Sequence, residues 1–493
     1  MGENQSKSRS NMERPTVIRI LGTCLAAILL ANSAQAQAVS VRTADGVVVG
    51  QASDRANVFR AIPYAMAPAG ALRWAAPRPA KPWSVALDVS KNGPSCPQPM
   101  NADGTPNAFG GANGPVSEDC LQLYVFAPKA GRKAPVMVWI HGGGNRVGAG
   151  WVYDGSNFAR DGVVIVSINY RLGALGYLAH PALTRAAGKG PAGNYGLMDQ
   201  IAALKWVKRN IAAFGGDPAN VTVFGESAGG ENVLALLATP GAKGLFHKAI
   251  VQSGGGWTAP RTLAQAEADG AAALGQTSAD QLRALPVEQL VALSARTGLF
   301  QDGRLLTATP TQALAAGRAA DVPLIIGWNS GEDTLAFGGS LADRDAVRTP
   351  EGREAFTDRM FGAPARWVAA RASRGKPAWL YHFSYVGTRF RPRMTTAAHA
   401  AEIQYVWEYW GRRTPMSVVS DEDRAMATLM HGCWVSFART SVPSCGPDVW
   451  PTYGPSSDKL MEFGSPSGIR TNFRKAQLDA QQVVAMPTVE LPK

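Results

Sequence analysis

The sequence predicts an α/β protein with a central, mostly parallel twisted sheet flanked by helices. The prediction rests on alternation: short runs of β-forming apolar residues, each the length of one buried strand, are separated by segments with helical character. The run at residues 221–224, for example, leads into an apolar segment at residues 233–238 that is typical of a buried helix. Other strand-sized runs lie at residues 135–140, 162–169, 249–252, 323–327 and 378–384.

Composition gives an ordinary globular protein with a basic surface. The 493 residues are 46% hydrophobic and 17% charged, which is enough apolar material for a large core. No repeat, low-complexity tract or charged linker divides the chain, so we expect residues 37–493 to form a single domain. The net charge of +12 can attract anions. Because no basic run is interleaved with aromatics, we expect no nucleic-acid partner, but a possible bias towards anionic substrates.

The first 36 residues have the pattern of a signal peptide. Basic residues up to Arg19 precede an apolar run at residues 20–31, and Ala34-Gln35-Ala36 fits a small-residue cleavage site. The apolar run is short for a membrane span, so a membrane anchor is the less favoured alternative. We expect cleavage near Ala36 and export to the periplasm or the medium.

The predicted nucleophile is Ser227. It lies in Gly225-Glu226-Ser227-Ala228-Gly229, a G-x-S-x-G motif between the strand at 221–224 and the following helix. A strand that turns abruptly into a helix strains the backbone at the serine, and side chains two positions away on either side would collide, so glycine is needed there. The free N–H groups of the helix N-terminus can then stabilise an oxyanion.

A second element follows the strand at residues 135–140. His141-Gly142-Gly143-Gly144 is an HGGG-type loop, whose backbone N–H groups can approach a carbonyl oxygen and form the other half of an oxyanion hole. We expect His141 to position this loop rather than act as a base.

The whole run from Phe214-Gly215-Gly216 to Ser227-Ala228-Gly229 resembles the active-site signature of the carboxylesterase/lipase type-B family, the cholinesterase-like α/β-hydrolases. Asn169-Tyr170-Arg171-Leu172-Gly173 also follows that family's pattern, and the resemblance extends over residues 41–451. It implies the α/β-hydrolase fold, with helical cap insertions over residues 261–320. It also implies that the N–H groups of Gly143, Gly144 and Ala228 form the oxyanion hole.

The acid of a catalytic triad is expected on a loop after a strand, later in the chain than the serine. Trp328-Asn329-Ser330-Gly331-Glu332-Asp333 follows the strand at 323–327. The resemblance implies a glutamate here, usually with Asp before it and Gly after it. This chain has Gly331 before the glutamate and Asp333 after it, so the two flanking residues are exchanged. Glu332 is still the predicted acid, and Asp333 is the alternative.

The base is expected beyond the acid, which leaves two of the six histidines, His399 and His431. His431 falls inside a helix predicted from residue 421 to 438, a poor place from which to reach the serine. The segment from Thr396 to Trp407 resembles the family's histidine motif. We therefore predict that His399 is the base and that it starts a helix after a loop.

The substrate pocket is where the chain departs from the family. The glycines are usually followed by an aromatic residue, whereas this chain has Asn145-Arg146, which places a guanidinium near the site that can bind a substrate carboxylate. Asn145, Arg146 and Trp257 are the predicted substrate-binding residues, with packing as the alternative for Trp257. The segment between Glu332 and His399 is shorter than the family norm, which indicates a more open pocket.

Four cysteines remain once Cys24 of the predicted signal peptide is removed. An even number in an exported chain suggests disulfides. The resemblance of the segments around Cys96 and Cys120 to the family implies that these two pair. Elimination and short spacing then suggest Cys433–Cys445.

The predicted function is that of a serine carboxylic-ester hydrolase that works through an acyl-enzyme on a small-molecule ester. Two alternatives remain: an amide or carbamate hydrolase with the same triad, and a non-catalytic cholinesterase-like binding module. The second alternative is disfavoured because the full set of catalytic residues is present. No cofactor is implied, and no metal, since the sequence has neither HExxH nor paired-cysteine zinc spacing. The natural ester cannot be read from the sequence.

Overall fold

The strands and helices alternate along most of the chain. The computed structural model describes residues 37–485, apart from residues 102, 106–110, 256, 258–260, 294–297, 339–340, 412–413 and 447–448. The predicted signal peptide and its cleavage site lie outside the described residues. The strands are β1 (Ala38–Arg42), β2 (Val47–Ala52), β3 (Asn57–Pro63), β4 (Leu87–Asp88), β5 (Gln122–Ala127), β6 (Ala134–Ile140), β7 (Val164–Ile168), β8 (Gly216–Glu226), β9 (Lys248–Gln252), β10 (Leu324–Asn329), β11 (Ala378–Phe383), β12 (Lys459–Phe463) and β13 (Gly468–Thr471).

The longest helix in the described residues, α14, has 20 residues, and none of the described helices combines the length and apolarity needed to cross a bilayer. The helices are α1 (Ser156–Arg160), α2 (Gly173–Tyr177), α3 (Pro181–Ala187), α4 (Tyr195–Asn210), α5 (Ala228–Ala238), α6 (Leu263–Leu274), α7 (Ala279–Arg283), α8 (Val287–Ala292), α9 (Pro310–Ala315), α10 (Leu341–Ala346), α11 (Pro350–Thr357), α12 (Ala363–Ala372), α13 (Ile403–Val406), α14 (Asp421–Thr440) and α15 (Lys475–Ala485).

All the strands belong to one sheet, with the order β1-β2-β3-β5-β7-β6-β8-β9-β10-β11-β12-β13 and β4 beside β2. The seven strands from β7 to β12 in this order pair in parallel. Antiparallel pairs occur at the two edges, from β1 to β7 and between β12 and β13. The predicted mostly parallel sheet is confirmed. Parallel neighbours end at the same edge, so the loops after β6, β8, β9 and β10 lie together.

Both faces of the sheet are buried, which explains why its strands are continuous apolar runs. Along β6, Val136 and Val138 point into one core and Met137 and Trp139 into the other, as the two-residue period of a strand requires. Helices α4 and α5 cover the first face, and α14 covers the second. The molecule is therefore a three-layer α/β structure, with helices on both sides.

Most predicted elements are present, with different ends. The strand predicted at residues 221–224 extends over Gly216–Glu226, and the helix predicted from residue 233 already begins at Ala228. The helical segment predicted over residues 261–320 consists of the separate short helices α6 to α9. The prediction that His399 starts a helix is wrong. His399 lies in a turn, and α13 begins only at Ile403.

Both predicted disulfides are formed. Cys96 is bonded to Cys120 and Cys433 to Cys445, with 24 and 12 residues of sequence separation. All but Cys445 are fully buried. The first bond ties the segment that precedes β5, and the second ties the end of α14 to the loop that follows it.

The turn between β8 and α5 leaves no space for side chains at its two glycines. A Cβ atom at Gly225 would lie 2.6 Å from the carbonyl carbon of Gly229, and one at Gly229 would lie 2.0 Å from the carbonyl oxygen of Ile140. Both distances are below contact distance and involve backbone atoms. The predicted collision is therefore present, and it is the backbone of β6 that enforces glycine at position 229.

We expect Gly229→Ala to lower the free energy of unfolding by roughly 3 kcal/mol, because the new methyl group must displace β6 or α5. Gly241→Ala is the matched control, since a Cβ there meets nothing within 4 Å. Denaturant midpoints of the two variants measure the difference. Equal midpoints would show that the turn yields without strain.

Candidate active site

Ser227 stands at the tip of the turn between β8 and α5. Its backbone has φ +57° and ψ −127°, a conformation that non-glycine residues rarely adopt. The strain is held by hydrogen bonds at both sides: the N–H of Ser227 donates to Gln252 O (2.9 Å), and its carbonyl accepts from the N–H of Glu231 (2.9 Å). The serine is thus fixed at the N-terminus of α5, next to the end of β9.

The glycine loop after β6 passes directly beside this serine. A Cβ atom at Gly142 would lie 3.1 Å from the Cβ of Ser227. Gly143 and Gly144 have φ values of +97° and +62°, and the space beside the Cα of Gly144 is open. The predicted oxyanion donors Gly143, Gly144 and Ala228 therefore belong to two segments that meet at Ser227.

Buried polar groups support the glycine loop from below. The ring of His141 stacks on Tyr170 with centroids 4.5 Å apart, and burial lowers the pKa of His141 to about 4. Asn145 is 2% exposed, and its Oδ1 accepts from Asn232 Nδ2 (2.6 Å) and Tyr177 OH (3.2 Å). His141 is thus neutral at pH 7, and the side chain of Asn145 is engaged inside the protein.

Glu332 lies at the start of the short helix after β10, with no exposed surface. Its Oε2 is 2.5 Å from Nδ1 of His399. Its Oε1 accepts from Ser253 Oγ (2.5 Å) and from the backbone N–H of Asn329 (2.7 Å). Three hydrogen bonds satisfy this buried carboxylate and fix its direction.

The loop that carries His399 is tied to the Glu332 turn by its backbone. The N–H of His399 donates to Thr334 Oγ1 (3.0 Å), and Gly331 N–H donates to Ala397 O (2.7 Å). Ser330 Oγ accepts from the N–H of Ala397 (2.9 Å). The acid and the histidine are therefore held as one unit although 67 residues separate them.

The other ring nitrogen of His399 faces the turn between β8 and α5 (residues 225–229), here called the elbow. Its Nε2 lies 3.1 Å from Oε1 of Glu226, the residue before Ser227. The two atoms are close enough for an ion pair but are not aligned as a hydrogen bond, and within the described residues neither has a hydrogen-bond partner. The structure thus brings Glu332 and His399 into contact and places Nε2 beside the elbow, without a hydrogen bond to Ser227.

Buried carboxylates dominate the electrostatics around His399. Burial opposes a charged ring, but Glu226 and Glu332 outweigh it and raise the pKa of His399 to about 10. Burial raises the pKa of Glu226 to about 8. It also raises the pKa of Glu402, whose oxygens accept from Gln252 Nε2 (3.1 Å) and Asn329 Nδ2 (2.6 Å). These carboxylates favour the charged imidazole.

The fallback residues lie elsewhere. Asp333 is 3.9 Å from Arg353, and Glu332 alone of the two contacts the ring of His399 within the described residues. His431 is buried in α14, where its nitrogens face Val406 O (2.8 Å) and Asp161 (3.0 Å). Asp161, His431 and Glu408 are grouped as metal ligands can be. Arg160 already binds both carboxylates of that group.

One pocket, of about 530 Å³, has His399 in its wall. Its lining is mostly apolar and aromatic, from the His399 loop, the segment that follows β11 and the region around α13. Arg146 lines a separate narrow cleft with Leu175 and Leu290. Trp257 packs at right angles to Trp367, with centroids 6.4 Å apart. Neither of these two predicted substrate-binding residues lines the pocket.

Sequence reasoning missed Ser253, Asn329 and Glu402 as partners of the acid and histidine. Ser253 and Asn329 end or follow strands that neighbour one another, β9 and β10. The parallel register of the sheet was the signal that could have found them, because residues after neighbouring strands meet at one edge. Glu402 lies three residues after His399, but nothing in the sequence shows that it turns inwards.

An α/β-hydrolase fold with this elbow, glycine loop and His–Glu pair defines the class of the enzyme. The model of the carboxylesterase family matches residues 37–353 and 339–481, and the chain belongs to this family and is a carboxylesterase. It is 36% identical to para-nitrobenzyl esterase of Bacillus subtilis over 468 residues, covering 84% of this chain and 92% of the relative. It is 35% identical to fumonisin B1 esterase of Sphingopyxis macrogoltabida, over 86% of each chain.

Solved structures agree with this assignment. A para-nitrobenzyl esterase structure superposes with a TM-score of 0.77 at 33% identity, covering 89% of this chain and 99% of the other. A Geobacillus stearothermophilus carboxylesterase gives a TM-score of 0.77 at 31% identity, covering 90% and 100%. The α/β-hydrolase fold predicted from the sequence is confirmed.

We expect Glu332→Gln to lower kcat by about 10³- to 10⁴-fold, because an amide in place of the carboxylate stabilises neither the required tautomer nor the charged form of His399. Asp333→Asn is the matched control and should change kcat less than about threefold. Steady-state kinetics on one ester compare them. A larger loss in the Asp333 variant would move the acid to that position.

We expect Glu226→Gln to shift the rising limb of the kcat/KM–pH profile to lower pH, by about 1 pH unit. A general base must be neutral, so activity rises as pH passes the pKa of the base in the free enzyme. Glu226 raises the pKa of His399, and its removal therefore lowers that pKa. A limb that stays in place would mean that Glu226 is uncharged whenever His399 titrates.

Proposed function

We propose that this carboxylesterase hydrolyses small-molecule esters through a Ser227–His399–Glu332 triad and an acyl-enzyme. The observation that carries the proposal is the 2.5 Å contact between buried Glu332 and Nδ1 of His399, which leaves Nε2 facing the strained turn at Ser227. A carboxylate on one ring nitrogen fixes the tautomer in which the other nitrogen accepts a proton.

In the proposed reaction, Nε2 of His399 removes the proton of Ser227 Oγ as the oxygen attacks the ester carbonyl. The imidazolium is stabilised by Glu332 and then protonates the departing alcohol. Water then attacks the acyl-enzyme while His399 removes a proton from it, and the imidazolium returns this proton to Ser227 Oγ as the acid is released. Nε2 makes no hydrogen bond within the described residues. Serine–histidine contacts are often long in unliganded sites and tighten when substrate is bound.

The oxyanion is proposed to bind the N–H groups of Gly143, Gly144 and Ala228. Two observations support this: the glycine loop runs beside Ser227, and Ala228 is the first residue of α5, whose N–H has no partner inside the helix. Preorganised donors of this kind stabilise the transition state more than the substrate.

The pocket beside His399 is proposed to receive an apolar or aromatic part of the ester. Its wall includes the aromatic side chains Tyr153, Phe390, Tyr409 and Trp410 beside aliphatic residues. A pocket of about 530 Å³ suits a drug-sized group. The two relatives are named for different esters, para-nitrobenzyl esterase and fumonisin B1 esterase. We therefore expect the pocket, rather than the catalytic residues, to select the substrate.

Export is proposed on the basis of two disulfides in the described part of the chain. Such bonds persist in oxidising compartments, and thiols in the cytosol are kept reduced. The signal-peptide pattern at residues 1–36 is the second support.

Purified protein is expected to hydrolyse p-nitrophenyl acetate, and Ser227→Ala to lower kcat by about 10⁴-fold or more, because the acyl-enzyme cannot form. Release of p-nitrophenolate measures the reaction, and p-nitroacetanilide is the matched amide. Activity that persists in the alanine variant would refute the triad. Equal rates on ester and anilide would favour the amidase alternative.

A further inference from the structure

A basic turn, here named the arginine turn (residues 388–393), contributes one residue to the wall of the pocket. Its sequence is Thr388-Arg389-Phe390-Arg391-Pro392-Arg393. Phe390 lines the pocket that contains His399, and Arg389 lines the groove that continues from it, with Gln404 and Trp410 in the walls of both. The guanidinium of Arg389 lies over the ring of Phe390, 4.3 Å from its centroid.

The three arginines of this turn have different environments. Arg391 forms an ion pair with Glu422, and its Nε donates to Val386 O (3.0 Å), which anchors the turn. Arg389 and Arg393 are exposed, and neither forms an ion pair with any described carboxylate. Two positive charges therefore face solvent on the turn that contributes Phe390 to the pocket.

Asp423, an acidic residue of the groove wall, forms no ion pair with Arg389 or Arg393. Asp423 lines the same groove as Arg389, but it is 3% exposed. Its oxygens already accept from Tyr385 OH (2.9 Å), Thr388 Oγ1 (2.7 Å) and Ser420 Oγ (2.8 Å). This carboxylate stabilises the base of the turn and leaves the guanidinium groups available to a ligand.

The two ends of the site thus have opposite electrostatic character. Glu226, Glu332 and Glu402 surround His399 at the inner end, so an anion close to the reacting bond is disfavoured there. At the other end, on the arginine turn, Arg389 and Arg393 favour an anion. The apolar and aromatic wall of the pocket separates the two ends. A ligand that fits this pattern has an ester at one end, an apolar body and a negative charge at the other end.

We propose that the preferred substrates are esters that carry a free carboxylate at the end remote from the scissile bond, recognised by Arg389 and Arg393. The inference rests on the proposed ester hydrolysis at Ser227 and names its substrate class. It also places anion recognition away from Arg146, whose side chain lines the separate cleft beside Leu175 and Leu290.

The test compares substrates that differ only in this charge. One pair is the acetate esters of 4-(2-carboxyethyl)phenol and 4-(2-carbamoylethyl)phenol. The other pair is the p-nitrophenyl monoester of octanedioic acid and the matching monoamide. The readout is the ratio of kcat/KM for carboxylate over amide, which cancels changes that affect both substrates equally. We expect a ratio above 1 in at least one pair.

For that pair, Arg389→Gln should lower the ratio about threefold and the Arg389→Gln/Arg393→Gln double variant about tenfold, as expected for exposed charge pairs. Arg389→Lys should keep most of the ratio, because the charge remains. Arg132→Gln removes an exposed arginine from the loop before β6, at the end of that strand opposite to His141, and should leave the ratio unchanged. Added salt should lower the wild-type ratio more than that of the double variant.

The outcomes separate the two proposals. If the wild-type protein shows no ester turnover that depends on Ser227, the proposed function is refuted. Turnover with ratios at or below 1 in both pairs, or with ratios that the arginine variants leave unchanged, would overturn the substrate class alone. Binding to vesicles of anionic phospholipid that depends on Arg389, with no effect of Arg389 on the ratio, would also overturn the substrate class. The arginine turn would then be a membrane-binding surface.

Discussion

The contact between Glu332 and His399 is the constraint on which the rest of the site depends. A carboxylate with no exposed surface is costly unless hydrogen bonds replace its water. Glu332 has three such bonds, and each comes from a different segment: the end of β9, the end of β10 and the His399 loop. The cost of desolvating one carboxylate therefore fixes three parts of the chain relative to one another. Strand β8 lies between β6 and β9 and is parallel to both. Ser227 after β8 and the glycine loop after β6 therefore lie at the same edge of the sheet as Ser253 after β9.

Sequence reasoning predicted the fold, which is confirmed, and the proposed reacting groups, because both predictions use local patterns. Strand-length apolar runs predict buried parallel strands, and the collision between Gly229 and β6 explains why the glycines of the elbow are needed. The predicted triad residues follow from chain order and motif. The polar partners could not be found in this way. Ser253, Asn329 and Glu402 have ordinary sequence surroundings, and their importance comes from register across the sheet, which depends on the packed fold.

The pocket was the least predictable part, for a physical reason. Arg146 follows the glycines in sequence, but Asn145 is held beneath the loop by Asn232 and Tyr177, and the chain leads the next side chain into a different cleft. The pocket wall instead comes from residues 152–153 and from the segment 385–411, which includes the His399 loop. Distance along the chain from the serine says nothing about such walls, because they are built from segments that the sheet and α14 bring together.

The acidic surroundings of His399 have a consequence for how this site works. A base that faces Glu332 on one side and Glu226 on the other holds its proton more firmly, and its pKa is accordingly raised. In the proposed reaction, this stabilises the imidazolium that forms when Ser227 attacks, but it also lowers the fraction of neutral imidazole before the attack. The two effects can be balanced by Glu226, since burial raises its own pKa to about 8. When Glu226 takes up a proton, its charge no longer acts on His399, so protonation of Glu226 lowers the pKa of the imidazole. A substrate that excludes water from this space strengthens the coupling, because charges interact more strongly in a low dielectric. Glu226 and Glu332 thus both raise the pKa of His399, and the hydrogen bond to Glu332 also fixes the orientation of the ring.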